Sequence, residues 1–342
     1  MKITIPNIAG LIPIVSVSGG KDSTATMLAL REAGVEGCRY VFSDTGWEAQ
    51  ETYDHIDDLA HRLGITIDRV GVPGGMVAKI EERAGFAART QRWCTRTLKI
   101  IPLREYHEAA AIEAQADTIS VVGIRNAESA ARAAITEEYE FVKDWDGYVW
   151  RPILSWSVAG VLAIHHRHGI PVNPLYRKGF SRVGCNPCIY ASKEEIELTA
   201  EHFPERIAQI RGLELACEDM RRERNAETPD RYKHEVASFF QSKEVTGYTV
   251  TETWENPDPA TWPKHSKKAK PRGPRPQGVA EDAVWIRTRT PIYKPMHIDD
   301  VVAWSRTSRG GKQLKIIRED PGGGCYRWGM CEPPARDGAG DE

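Results

Sequence analysis

The chain has 342 residues, with 46 Lys and Arg against 48 Asp and Glu and a formal net charge of −2. That length suits one large domain with an appendage, or two domains, and near-neutral charge argues neither for nor against a polyanionic partner; a basic surface must come from local segregation. No stretch is long and apolar enough to span a bilayer, and the opening "MKITIPNIAG" lacks the apolar core of a signal peptide, which predicts a cytoplasmic protein with no membrane partner.

In chain order, "LIPIVSVS" reads as a buried strand and residues 23–33 as a helix that stops at Gly34. "CRYVFSD" predicts a second strand. A helix over residues 48–63 follows, with Tyr53, Ile56, Leu59, Ala60 and Leu63 on one stripe and Gly64 closing it. "ITIDRVG" and "TISVVGIR" predict further strands, separated by helical sequence around "REYHEAAAIEAQA". Alternating strands and helices predict parallel pairing and a doubly wound α/β sheet, here assigned to residues 1–190.

After Arg151 the pattern turns mostly helical. Ser157 is placed to cap a helix running through His168, and Ser192 with Glu195 forms a capping box for another. The expected organisation is a helical extension over 191–255 and a flexible, basic, Pro-rich linker over 256–278, "NPDPATWPKHSKKAKPRGPRPQG". A small Cys-containing segment over 279–342 ends in a loose tail.

The join between the first strand and its helix reads "SGGKDS", Ser18 to Ser23. A helix that follows a parallel strand presents unpaired backbone N–H groups and the positive end of its dipole. Gly19 and Gly20 let the backbone approach an anion, Ser18, Ser23 and Thr24 add hydroxyls, and Lys21 adds charge. The pattern predicts a phosphate site in a solvent-facing turn. It is not the Walker loop, since G-x-x-x-x-G-K-[ST] does not occur.

"SGGKDS" resembles the PP-loop of the N-type ATP pyrophosphatases, which cleave ATP between its α and β phosphates. Further segments narrow the resemblance to the PAPS reductase-like branch: "FSDTGWEAQETY", "GIRNAESAAR", "RPILSWS" and "GIPVNPLY" occur in the family's order from about Ser16 to Cys188. The resemblance implies an adenine nucleotide alpha hydrolase-like fold. It implies ATP with Mg²⁺ held by Ser18, Gly19, Gly20, Lys21, Asp22 and Ser23, with Lys21, Asp22 and Ser23 catalytic. Asp44, Thr45 and Gly46 would lie at the end of the second strand, and Gly123 and Arg125 beside the phosphates. "VFSDTG" and "VVGIR" end strands on the same edge, where open α/β sheets bind ligands.

Of seven cysteines, Cys185 and Cys188 form C-x-x-C, a spacing suited to zinc, an iron–sulfur cluster or a redox dithiol. "WCTRTLKIIPL" resembles the APS reductase segment in which paired cysteines join a distant C-x-x-C around a [4Fe-4S] cluster. Cys94, Lys99, Pro102 and Leu103 match it, whereas Trp93 stands where the first paired cysteine would be. The resemblance implies Cys94, Cys185 and Cys188 as ligands, with Cys325 or Cys331 as a fourth, or an open site; structural zinc is the alternative. Cys38 and Cys217 read as small core residues. His165 and His168 read as cations at a helix end. Trp262 with the Lys and Arg residues from Lys264 to Arg275 reads either as a solvated loop or as a DNA- or RNA-binding arm.

The resemblance leaves three functions open. One is ATP-dependent adenylation followed by sulfur transfer, with a cysteine desulfurase as possible donor. The second is PAPS or APS reduction, against which stand the complete loop and the absence of the reductases' E-C-G-[LI]-H motif. The third is a nucleotide-binding scaffold without turnover. A pyrophosphatase loop joined to an iron–sulfur-type cysteine set is similar to DNA phosphorothioation proteins and tRNA thiolases, and PAPS reductase-like chains of this build also occur in phage genomes.

Overall fold

The computed structural model describes residues 2–307 apart from 90, 129, 230, 233, 234, 241, 242 and 272. The first half alternates strands and helices: β1 (Ile12–Val17), α1 (Lys21–Glu32), β2 (Arg39–Asp44), α2 (Gln50–Leu63), β3 (Ile67–Gly71) and α3 (Gly75–Arg83). A turn α4 (Trp93–Thr95) and a π-helical turn (Arg96–Ile100) lead into α5 (Ile101–Ala114), followed by β4 (Thr118–Val122) and a short α6 (Ala130–Ala133). A hairpin of β5 (Tyr139–Val142) and β6 (Gly147–Trp150) comes next, then α7 (Val158–Arg167), α8 (Lys193–His202) and α9 (Pro204–Glu227). Strands β7 (Lys243–Glu255), β8 (Ser266–Lys268) and β9 (Val284–Pro295) and helix α10 (Ile298–Ser305) follow.

The main sheet has the order β3-β2-β1-β4-β6-β5, parallel except for the β5–β6 hairpin. Side chains of a strand alternate between faces, so Ile14 packs with Val41 and with Ala110 of α5, while Val15 and Val17 pack with Met27 and Leu30 of α1. Both faces are thereby covered, which is the doubly wound arrangement expected. The predicted stops hold: Gly64 ends α2 in the left-handed conformation, and Gly34, with φ 69°, follows α1. Ser157 caps α7, whose last turn ends at His168, and Ser192 and Glu195 form the capping box of α8.

The helical extension shares a core with the sheet domain. Ile207, Ile210, Leu213 and Cys217 form one stripe of α9, packed with Trp47, Ile80, Leu98, Phe239 and Ile298. On the same stripe, buried Glu214 accepts the backbone N–H groups of Phe239 and Ile298, each at 2.8 Å. This carboxylate ties two distant segments to α9, and burial pushes its pKa up to about 7.

The C-terminal region departs from the helical expectation after Glu227. Alternating Val and Thr in "KEVTGYTVTETWE" favour a strand, and β7 pairs antiparallel with β9 over most of its length. The stretch expected to be a linker contributes β8 to the same sheet. The β5–β6 hairpin was also unforeseen, although "DWDG" supplies its turn signal, with Asp146 at φ 57°.

Candidate nucleotide-binding site

β1 delivers the glycine-rich turn to the carboxyl edge of the sheet. Gly19 has φ 69°, and a Cβ there would lie 3.0 Å from Thr52 Cγ2, so a side chain would meet both strain and crowding. α1 starts at Lys21 behind Gly20, which supplies no side-chain cap. Ser18 and Ser23 close the turn, their hydroxyls 3.1 Å apart, and Ser23 Oγ donates to Gly20 O at 3.0 Å.

The turn is not solvent-facing. Lys21, Asp22 and Ser23 are all buried, Lys21 and Asp22 being 5% and 8% exposed. Distant segments cover them: the Lys21 N–H donates to Tyr176 OH at 3.2 Å, and Asn173 Nδ2 donates to Gly19 O at 3.2 Å. His165 Nε2 lies 2.8 Å from Lys21 O, and its Nδ1 lies 3.1 Å from Ile170 O. Burial holds this imidazole below its ordinary pKa, so a neutral ring with one N–H faces two carbonyls. His165 is therefore a buried brace of the loop rather than a cation at a helix end. His168 lies nearer the surface and pairs with Glu32 at 2.7 Å.

Asp22 joins the two cations of the site, accepting from Lys21 Nζ at 2.9 Å and from Arg125 Nε at 2.5 Å. Gly123 lets β4 leave the sheet directly beneath the turn. A Cβ at that position would fall 2.7 Å from Asp22 O and 2.8 Å from Ser23 Cα. Arg125 and Gly123 thus both reach the loop.

At the end of β2, Asp44 Oδ1 accepts from the Gly46 N–H at 2.8 Å and from Tyr53 OH at 2.7 Å. Burial, then the neighbouring Asp44 and Glu48, raise the Tyr53 pKa, which keeps its proton available to them. Thr45, the residue after Asp44, is buried. Its hydroxyl donates to buried Glu48 at 2.8 Å and lies 3.8 Å from Cys185 Sγ. Sequence reasoning did not single out Glu48, because a carboxylate near a helix start is ordinarily solvated.

The C-x-x-C loop docks on this same segment. The Asn186 N–H donates to Trp47 O at 2.9 Å, Trp47 Nε1 donates to Pro187 O at 3.2 Å, and Cys185 Sγ lies 3.8 Å from Glu48 Oε1. Cys94, Cys185 and Cys188 pack against one core, and Cys185 and Cys188 line a cavity of about 180 Å³ together with Lys99, Arg182 and Glu195 among others. Burial pushes the Cys185 thiol up to about 11 and raises Cys94, so both are protonated at neutral pH until a soft metal or a reaction removes the proton. The π-helical turn carries Lys99, whose pKa is raised by the neighbouring Cys185 and Glu48 against the opposing effect of burial. Trp93 lies beneath the Arg83 guanidinium, 5.2 Å from it.

Three thiols suit a soft metal, and the ammonium would offset their charge. The set is incomplete: among the described residues no three His, Cys, Asp or Glu side chains are arranged to hold a metal ion. Cys325 and Cys331 lie outside the described residues. Cys217 is fully buried on α9, as expected. Cys38 is half-buried just before β2 rather than within it. Among the described residues, no helix is long and apolar enough to cross a membrane.

A 37.8 kDa protein of Escherichia phage 186, encoded in the gpa 5′ region, is 34% identical over 245 residues, covering 58% of this chain and 73% of its own length. The adenosine 5′-phosphosulfate reductase of Agrobacterium fabrum is 26% identical over 200 residues, 55% of this chain and 74% of that one. Among solved structures, the PAPS reductase of Candida auris, a phosphate complex, aligns with a TM-score of 0.40 at 18% identity, covering 54% of this chain and 84% of that chain. The profile of the phosphoadenosine phosphosulfate reductase domain matches residues 12–191, over half of the sequence, and the chain belongs to that family.

Proposed function

We propose that the protein is a PP-loop ATP pyrophosphatase that adenylates a substrate for sulfur transfer. The observation that carries this reading is the complete "SGGKDS" turn at the start of α1, with Lys21 and Arg125 gathered on Asp22. A substrate oxygen attacks the α-phosphorus, the bond to the bridging oxygen breaks, and pyrophosphate leaves with that oxygen. A sulfur nucleophile then displaces AMP. The loop N–H groups and Lys21 would bind the departing phosphates, Arg125 would hold Asp22 in place, and Asp44 would be the carboxylate that binds Mg²⁺. Bound Mg²⁺ would neutralise phosphate charge.

Cys94, Cys185 and Cys188, with Cys325 or Cys331, are the thiols that would hold a [4Fe-4S] cluster, or zinc in its place. A cluster would supply an iron-bound position for sulfur. DNA or RNA is the proposed acceptor class, contacted by the basic stretch from Trp262 to Arg275, and a cysteine desulfurase the proposed donor.

Sulfonucleotide reduction is the second reading, favoured by the 26% identity to an adenosine 5′-phosphosulfate reductase. One experiment separates them. Incubated with ATP, a nucleic-acid acceptor and sulfide, the first enzyme gives AMP and pyrophosphate; incubated with APS or PAPS and a thiol, the second gives sulfite. Nucleotide binding with neither product would leave a scaffold and overturn both.

A further inference from the structure

The C-terminal sheet, in the order β7-β9-β8, has two unlike faces. Directly opposed residues share a face, so the pairs Val250↔Arg289, Glu252↔Arg287, Trp254↔Trp285 and Lys267↔Arg287 lie on one side, with Tyr248 two residues before Val250. On the other side Ile286 and Thr288 are buried. The first side is open: Tyr248 is 49% exposed, and Lys267, Arg287 and Arg289 are exposed.

This open face joins aromatic rings to cations. The Arg289 guanidinium lies over the Tyr248 ring at 4.3 Å and that of Arg275 over Trp254 at 5.4 Å, while Trp254 and Trp285 meet edge to face at 5.3 Å. Lys267 and Arg287 are direct cross-strand partners, and like charges so placed destabilise a sheet. Glu252, which binds Arg287 at 2.6 Å, offsets one of these charges. An anion bound between them would relieve the remaining repulsion.

We infer that this face is a platform for single-stranded nucleic acid. Unpaired bases stack on Tyr248 and on the guanidinium planes of Arg289 and Arg275, while phosphates meet Lys267 and Arg287. A duplex keeps its base faces covered and would engage only the cations. The inference rests on the nucleic-acid reading of the substrate and extends the contact from Lys267 and Arg275 of the basic stretch to Tyr248, Arg287 and Arg289 on β7 and β9.

The test is fluorescence anisotropy of the full chain with labelled oligo(dT), oligo(U) and a duplex, from about 50 to 200 mM salt. Tyr248→Ala weakens single-strand binding about tenfold, whereas Tyr248→Phe, which keeps the ring, binds like wild type. Arg289→Gln weakens binding with little change in the salt slope, whereas Lys267→Gln, which removes a phosphate contact, lowers that slope by roughly 0.7. Comparing oligo(dT) with oligo(U) distinguishes DNA from RNA. Binding that survives Tyr248→Ala and Arg289→Gln but falls in a Lys264→Gln, Lys270→Gln variant would overturn the platform and leave the nucleic-acid reading standing. Equal affinity for duplex and single strand would overturn the stacking surface. No binding of any probe by wild type would overturn both readings.

Discussion

Asp22 binds Arg125 at 2.5 Å across 103 residues of sequence, and it does so inside the loop that was expected to face solvent. The carboxylate also holds Lys21, so one acidic side chain sets the position of both cations of the site.

Removing that carboxylate affects stability as well as chemistry. Asp22→Ala strands the buried Arg125 guanidinium and costs about 3–5 kcal/mol. Lys21→Ala leaves the Asp22–Arg125 pair intact and costs less. Both variants lose pyrophosphate release. Thermal melts with a pyrophosphate assay check this: a Lys21→Ala protein with wild-type turnover would sink the ATP reading, and an unaltered melt for Asp22→Ala would show that the pair contributes nothing.

Gly123→Ala tests the packing of β4 under the turn. The added methyl would meet the Asp22 carbonyl and Ser23 Cα, so the loop must shift, at a cost of about 1–3 kcal/mol. ATP affinity measured by calorimetry falls with the melting temperature. Unchanged affinity would mean that the loop moves freely.

The thiol set makes a compositional prediction. After anaerobic, iron-supplemented preparation, a cluster gives brown protein with about four irons per chain, and Cys185→Ser or Cys188→Ser bleaches it. Cys38→Ser and Cys217→Ser retain the metal. Separate Cys325 and Cys331 variants identify the fourth ligand. Stoichiometric zinc without iron would replace the cluster with a structural site.

Glu214 predicts a pH dependence. Its pKa rises from 4.5 to about 7 on folding, so the native state holds a proton that the unfolded chain has released. Stability from this group is highest below pH 4.5 and falls as pH rises to about 7, by on the order of 3 kcal/mol. His297, raised by its hydrogen bond to Glu218, adds the same sign, since its contribution is lost as pH climbs through its folded pKa. Glu214→Gln is less stable at low pH, having lost one acceptor for the Phe239 and Ile298 N–H groups, but its melting temperature declines less between pH 5 and 8. An identical slope in both proteins would assign the dependence elsewhere.

How much of this was legible beforehand follows from the range of each interaction. Strand alternation, the stop at Gly64 and the caps at Ser157 and Ser192 arise from residues within one or two turns of each other, so the sequence alone indicated a doubly wound sheet and put "SGGKDS" at a strand's carboxyl end. Burial of Lys21 depends on Tyr176 and His165, which lie 155 and 144 residues away, and no local pattern says which distant segment will cover a turn. Thr45 shows the same division: its bond to Glu48 spans only three residues, but its approach to Cys185, 140 residues away, required the C-x-x-C loop to dock on Trp47. Likewise the basic stretch could be read as composition, whereas the pairing of β8 with β9 is what sets Lys267 opposite Arg287, because a face is defined only once strands have partners.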